Sequence, residues 1–530
     1  MCRPHVQAGG CAKIRICAIN TDQVNKMTNP IEPQQTAIGL DVIQRNGANG
    51  GGEINRAFEL SDPEGAKVPR KGRHDASGVN GQSGGAGGAG VGGGGHGIES
   101  DHPTSYLETI MHIFKGNVGP GLYAMGQAFM NGGIVVAPIL TVLLGITCVH
   151  SQHLLLKCAA KMKSKQSNAN QLPDFAETVE LCFEHGPVRM RGWSRVMRLA
   201  VNVFICVTQL GFCTVYFGFI SNNLKHIYDY YGIHLDVRLH MLIILVPILL
   251  PSLIRNLKYL AWCMTLANAC MILGICITAY YAVQELPPIG ERPYFSSLHQ
   301  LPLYFGTAIF AFEGIALVLP LQNAMKTPTD FGRPLGVLNV GMAIVTFIFA
   351  SLGFLGYLKW GDDVQSSLTL NLPKGEILAQ SVKVMVSLGI LLGYALQFFV
   401  AIQIMLPWVL ARISYSAKHP IRVELLFRTL IVLITFAVAE SILNVGALIS
   451  LIGALCSTAL ALVFPPVLEL ILGLAESECE FPQQPTDGSA VGGSKIGFVI
   501  WVKNLLILVL ALFIFLTGTV ESLNEIRHIA

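Results

Sequence analysis

From residue 104 onward the chain alternates between long apolar runs and short polar connectors. Most runs are close to the roughly 20 residues that an α-helix needs to cross a bilayer. Eleven runs can be marked, at 104–130, 132–157, 197–222, 238–256, 258–284, 301–322, 335–359, 379–411, 421–440, 444–473 and 496–520. The second is apolar on every face, apart from Thr141, Thr147, His150, Ser151, Gln152 and His153 toward its end. A helix with no polar face needs lipid or protein on all sides. The pattern therefore predicts an all-α polytopic membrane protein with eleven transmembrane helices. Residues 101–525 form its membrane domain.

Before residue 100 the alternation is absent. This part is polar and Gly-rich, and 77–97 offers almost no side chains to bury. It predicts a disordered cytosolic tail, 1–100, that acts as a tether. Within the loop after the second span, 174–184 reads as a short amphipathic helix lying along the cytosolic surface. Asp174 caps it, and Glu177 completes a box-like pattern.

Composition sharpens the membrane reading. Apolar residues make up 52% of the 530 and charged residues 13%, against about 25% charged in soluble chains. A net charge of +3 is too small to indicate a nucleic-acid partner. The chain does not open on a basic, short-apolar, small-residue pattern, so no cleaved signal peptide is expected and the first span directs insertion. Of thirteen cysteines, Cys2, Cys11 and Cys17 lie in the tail, and Cys206, Cys213, Cys263, Cys270, Cys276 and Cys456 lie in apolar runs. They read as small buried hydrophobes. No spacing matches a zinc site, so neither metal nor cofactor is expected.

Charge also orients the spans. Lys157, Lys161, Lys163, Lys165, Arg189, Arg191, Arg195 and Arg198 follow the second span. Arg255, Lys258, Lys326, Arg333, Arg412, Lys418 and Arg422 fall on the same side. The other side carries only Lys225, Arg238, Arg292, Lys359 and Lys374. The basic side and the N-terminus are thus placed in the cytosol. The stretch before the last span, with Glu476, Glu478, Glu480 and Asp487 against Lys495, runs against this trend. No outward loop holds a cysteine, so no extracellular disulfide is expected.

The candidate chemistry sits where the spans fail as helices. The first contains Lys115-Gly116-Asn117-Val118-Gly119-Pro120-Gly121, three glycines and a proline that interrupt a helix at membrane depth. Freed backbone groups are tolerated there only against protein or a wet cavity. Freed N–H groups at the start of the following half-helix suit a carboxylate, and freed carbonyls suit an ammonium. The alternatives are a proline kink used only for packing and, more weakly, a phosphate loop, which no strand precedes. The sixth span carries Ala311-Phe312-Glu313-Gly314 at its middle. A carboxylate there costs about 2.5–3.5 kcal/mol on insertion scales and points to function. A structural ion pair or a hydrogen-bonded carboxyl is the alternative. Breaks in spans one and six match spans 1–5 and 6–10 as inverted repeats. His112, one turn before the first break, titrates near neutral pH. An interfacial structural histidine is the other reading. Tyr123, Tyr216, Tyr394 and Gln397 are candidate cavity residues or interhelical partners, and Gly389 with Gly393 reads as a close-packing pair.

These residues carry a resemblance. His112 to Gly121 as HIFKGNVGPG, the turn Asn131-Gly132-Gly133, the stretch from His150, the 173–177 loop and the AFEG of 311–314 resemble the proton-coupled amino acid transporter family, part of the amino acid/auxin permease group. The likeness spans nearly all of 100–525. It implies a 5+5 inverted-repeat transporter fold with broken helices one and six. It implies symport of a proton with small neutral amino acids such as glycine, alanine and proline, in a plasma or lysosomal membrane. It puts the proton on His112. The outward cysteine pair of the family has no counterpart here. The expected substrate site is Gly116, Asn117, Val118, Gly119 and Gly121 for the carboxylate, with Phe312, Glu313 and Gly314 for the ammonium. Other readings are a facilitator or Na⁺-coupled carrier of the same fold, and an amino-acid receptor signalling through the tail. No nucleophile with a nearby base marks an enzyme.

Overall fold

The structure is a computed structural model that describes residues 103–166, 171–255, 257–413, 418–479 and 497–529. The expected tail and the polar stretch 480–496 lie outside the described residues. The side chains of 257–264 and 476–479 are also outside it.

The first expected span is two helices, α1 (Tyr106–Asn117) and α2 (Pro120–Gly132). Ser105 caps α1 through a reciprocal capping box with Glu108. Gly133 ends α2 at φ +90°, and a side chain there would meet the Tyr294–Phe295 backbone at 2.6 Å. The chain continues through α3 (Val136–Lys165), α4 (Phe175–Glu184), α5 (Ser194–Tyr230), α6 (Val237–Ser252) and α7 (Leu257–Ala282). The sixth span is again split, into α8 (Leu301–Ala311) and α9 (Ile315–Ala324). Then come α10 (Val337–Trp360), α11 (Ile377–Arg412) and α12 (Pro420–Ser441). The tenth span starts as α13 (Val445–Ile452), passes through π turns at Gly453–Ser457 and Ala459–Val463, and ends as α14 (Phe464–Cys479). The last is α15 (Phe498–Phe513) and α16 (Thr519–Ile529), joined by one π segment. Apart from one isolated β-bridge, the described residues hold only helices and turns.

Among the described residues, eight helices are long and apolar enough to cross a membrane by length and composition. Three expected spans fall outside that group, each for a visible reason. The first is broken. The helix α6 has 16 residues. The helix α12 has 22 but carries Arg422, Glu424, Arg428 and Glu440.

Contacts between connectors sort into two sets that do not mix. On one side, the Thr104 amide donates to the Ala324 carbonyl (2.8 Å), the Lys326 amide donates to the Thr104 carbonyl (3.0 Å), and Asn323 bonds the Leu172 backbone. Arg255 and Arg428 converge on Glu424 at the same side, at 2.9 and 3.0 Å. On the other side, the amides of Ile134 and Val136 reach Pro293 and Tyr294, and Arg292 caps the end of α10 through the carbonyls of Leu358 and Lys359. The first set is the basic side. The two sets group the connectors as the lysine and arginine pattern does.

Helix partners repeat with an offset of five spans. The first packs on the sixth, the second on the seventh, the third on the eighth and the fourth on the ninth. Crossed partners also exchange: α5 meets α12 as α11 meets α6, and α7 meets α11 as α13 meets α5. Two similar halves thus build one bundle. Without a hydrophobic drive between helices in lipid, small residues let backbones approach closely. Gly306 of α8 and Gly453 of the tenth span leave no room for a Cβ on either. Rings fill the wider gaps: Phe217 lies 5.7 Å from both Tyr394 and Phe436.

The short helix α4 begins where expected. The Asp174 carboxylate accepts the Glu177 amide at 2.7 Å. Its apolar stripe, Phe175, Val179, Cys182 and Phe183, is turned to protein, packing on α3, α5 and α14. Phe175 meets Phe464 edge-on at 6.3 Å.

Candidate substrate-binding site

The first break is narrower than its sequence. Only Val118 and Gly119 leave helical geometry. Gly116 and Asn117 still belong to α1, and Pro120 and Gly121 already belong to α2. Proline explains this, because it suits the first position of a helix, where no intrahelical N–H bond is due. In the sixth span, Phe312 and Glu313 form the interruption, and Gly314 precedes the first turn of α9.

The two breaks touch. A Cβ on Gly121 would lie 2.8 Å from the Ala311 Cα, and one on Gly314 would lie 2.9 Å from the Asn117 Nδ2. The start of α2 therefore abuts the end of α8, and the start of α9 abuts the end of α1. Helix starts carry unsatisfied N–H groups and partial positive charge, and helix ends the reverse. Each junction thus sets a positive end beside a negative one.

Two side chains in the breaks are buried with polar atoms unsatisfied. Asn117 is 7% exposed and Glu313 6%. The Asn117 amide donates to the Ile113 carbonyl at 2.9 Å, and its Oδ1 has no partner. Glu313 Oε2 has no hydrogen-bond partner, and no ion pair to Glu313 is found among the described residues. Ser457 lies beside the carboxyl, on the first π turn of the tenth span, but its own hydroxyl makes no hydrogen bond. Interruptions of this kind inside helices recur at functional sites.

Small cavities line the junctions. One of about 20 Å³ lies among Asn117, Gly119, Gly121, Tyr216, Phe310 and Gln397. A second, about 30 Å³, lies between Gly116, Gly119, Asn268, Ile390, Gly393 and Gln397. A third, about 10 Å³, is closed by Asn117, Gln152 and Gly314. Each has room for about one or two waters, so the conformation is closed around its centre. A larger space, about 540 Å³, is elsewhere. It is an apolar groove between α3 and α15, with His150 and Lys503 among its lining residues.

The expected residues fall as follows. Gly116, Asn117, Val118, Gly119, Gly121, Phe312, Glu313 and Gly314 all stand at the junction. His112 does not. It is exposed on α1, off the buried line of Thr109, Ile113 and Asn117. Tyr216 and Gln397 line the cavities. The Tyr394 hydroxyl is instead bonded to Thr435 at 2.8 Å. The pair Gly389 and Gly393, read as packing, divides. A side chain on Gly389 would meet Met271 at 3.0 Å, whereas on Gly393 the nearest atom is a Tyr216 carbon at 3.7 Å. Gly389 packs, and Gly393 borders space. Gln152, one of the polar exceptions in the second span, reaches the site, and Asn268 and Ser457 reach it without any signal in their own segments.

Residues 102–478 match the family described as transmembrane amino acid transporter protein. The chain belongs to that family. It is an integral, multi-pass membrane protein of an amino acid transporter family. It is 35% identical over 431 residues to the proton-coupled amino acid transporter-like protein pathetic of Drosophila melanogaster, covering 81% of this chain and 86% of that one. It is 27% identical over 373 residues to the probable amino acid transporter skat-1 of Caenorhabditis elegans, covering 68% and 79%. A solved structure of MhsT in complex with L-phenylalanine is similar at a TM-score of 0.42 and 13% identity, over 79% of this chain and 99% of that one.

Proposed function

We propose that the protein is a proton-coupled symporter of small neutral amino acids of the glycine, alanine and proline type, in a plasma or lysosomal membrane. The observation that carries the reading is the meeting of two helix breaks, with Asn117 Oδ1 and Glu313 Oε2 buried and unpartnered between them. A zwitterion matches such a junction. Its carboxylate would take the N–H groups at the start of α2, at Gly119 and Gly121, with Gly116, Asn117 and Val118 forming the wall. Its ammonium would take the carbonyls around Phe312 and Gly314 and the carboxyl of Glu313. The tight ring of Phe212, Phe310 and Tyr216 favours a small side chain.

The family resemblance puts the proton on His112, and the name of one relative, a proton-coupled amino acid transporter-like protein, supports proton coupling. Glu313 is the second candidate, because its carboxyl is enclosed in the break. One charge carried inward gains about 2.3 kcal/mol per 100 mV, and each pH unit adds about 1.4 kcal/mol.

Uptake of labelled amino acids into proteoliposomes, with and without an inward proton gradient, tests the proposal. Accumulation of glycine, alanine or proline that follows the gradient is expected. Accumulation that follows Na⁺ at fixed pH would make the protein a Na⁺-coupled carrier. Binding with no flux would make it a receptor, and deletion of residues 1–100 would then abolish its output while leaving binding intact.

A further inference from the structure

Lys383 stands in the outer half of α11 and is fully buried. Its Nζ has no hydrogen-bond partner. This is a costly place for an ammonium, which needs an acceptor or a counter-charge when removed from water.

Among the described residues, no counter-charge pairs with it, and no acceptor is within hydrogen-bond distance. Among the charged and titratable groups around α11, α5 brings His226, Lys225 and Asp229, and the connector before α11 brings Lys374 and Glu376. The helix α6 brings Arg238 and His240, α7 brings Tyr281, Cys270 and Cys276, and α12 brings Glu424, Arg428 and Glu440. The groups within electrostatic reach of Lys383 are Lys374 and His226, both basic. The carboxylates are otherwise engaged. Asp229 holds Lys225 at 2.7 Å and His234 at 3.2 Å. Glu376 accepts the Tyr281 hydroxyl at 2.5 Å. Glu440 faces Arg238 at 3.9 Å, and Glu424 is held by Arg255 and Arg428.

Other unsatisfied polar atoms continue the line. Gln380 Oε1 lies one turn before Lys383, Ser387 Oγ one turn after it, and His226 Nδ1 faces it from α5; all three are buried and unpartnered. Two turns after Lys383, about 10 Å along the helix axis, Ile390 lines the cavity against Gly116 and Gly119. Gln380, Lys383 and Ser387 thus share a buried face of α11 that leads inward toward Ile390 at the cavity beside the helix breaks. Polar atoms left unpaired on a buried face are the groups that water would satisfy if the face opened.

We propose that Lys383 is a proton-linked gate of the outer path. When the path opens to water the amine holds a proton. The empty protein closes only after that proton leaves to solvent, or with an anionic group of the cargo nearby to offset the charge. Closure without cargo is thereby separated from proton entry. The proposal rests on the transport reading above for its purpose, but not for its test.

The full-length protein carrying Ser387→Cys, with the exposed Cys276 replaced by Ser, is reconstituted in liposomes. A membrane-impermeant thiol reagent is applied from outside, as pH falls from about 10 to about 6, the range in which a solvated lysine is charged. The thiolate is the reacting form, so each rate is divided by that of a free thiol with the same reagent at the same pH. This normalised labelling of Cys at 387 is expected to rise several-fold toward low pH, and added glycine is expected to reduce it. With Lys383→Met the normalised dependence on pH is expected to vanish. An unchanged pH dependence with Met at 383 overturns the proposal. If the Met variant elutes as aggregate, Lys383→Gln is judged by the same criterion. Labelling reads the gate directly. Absence of gradient-driven uptake in the unaltered protein would overturn the symport reading alone.

Discussion

The side-chain amide of Asn117 lies against the Cα of Gly314, so close that a methyl group there would stand 2.9 Å from Nδ2 and 3.1 Å from Oδ1. This pair joins the end of α1 to the start of α9. Gly314→Ala would force the two half-helices apart, an overpacking cost of about 1–3 kcal/mol. Uptake should fall at least about tenfold while the protein still elutes as a single species. Gly393→Ala, with its nearest atom at 3.7 Å, should leave thermal stability unchanged and raise KM by narrowing the cavity. Equal effects from both would remove the junction argument.

Glu313 and His112 make competing claims on the proton. Glu313 is enclosed, and His112 is exposed on α1. Glu313→Gln keeps shape and hydrogen-bonding capacity but cannot ionise. It should retain exchange of labelled amino acid and lose accumulation driven by a pH gradient. His112→Ala should shift the pH profile of uptake if the histidine takes part, and leave it unmoved if its position outside the junction is decisive. Gradient-driven accumulation in the two variants, compared side by side, assigns the role.

The Thr104–Met325 bridge ties the chain before α1 to the connector after α9. Thr104→Pro removes the amide that reaches the Ala324 carbonyl at 2.8 Å. Loss of one such bond is worth about 1 kcal/mol, or roughly a five-fold shift between states. The inner side should open more often. A cysteine placed at Val318, buried on α9, should then react faster with thiol reagent from the cytosolic side.

Arg428 is 3% exposed. It bonds Glu424 at 3.0 Å and the Ser252 carbonyl at the end of α6 at 3.0 Å. Arg428→Met leaves Glu424 with Arg255 as its remaining partner and uncaps the Ser252 and Ile254 carbonyls, and should cost about 1–3 kcal/mol. The added change Glu424→Leu should recover part of this, since a well-packed apolar pair avoids the desolvation of both charges. Thermal melting in detergent measures both. A single variant as stable as the unaltered protein would show that the pair is not buried in solution.

The sequence by itself determined the membrane class, because lipid demands long apolar helices and nothing else in composition explains 52% apolar with 13% charged residues. It also located both interruptions, since proline and clustered glycine act locally, on the backbone that carries them. Lysine and arginine predicted which connectors share a side, and the connector contacts group them in the same way. What it left open was contact. The pairing of Gly121 with Ala311 and of Asn117 with Gly314 joins segments nearly two hundred residues apart. Gln152, Asn268 and Ser457 reach the site from helices whose own patterns look like packing. His112 and Lys383 show the same division. In the sequence, the histidine beside the break reads as a titrating group or as an interfacial structural residue, and Lys383 draws no reading at all. Only the packing of α11 on its neighbours buries Lys383 with its amine unpartnered, while α1 turns His112 outward. Burial is a property of neighbours, and neighbours are set by the tertiary structure.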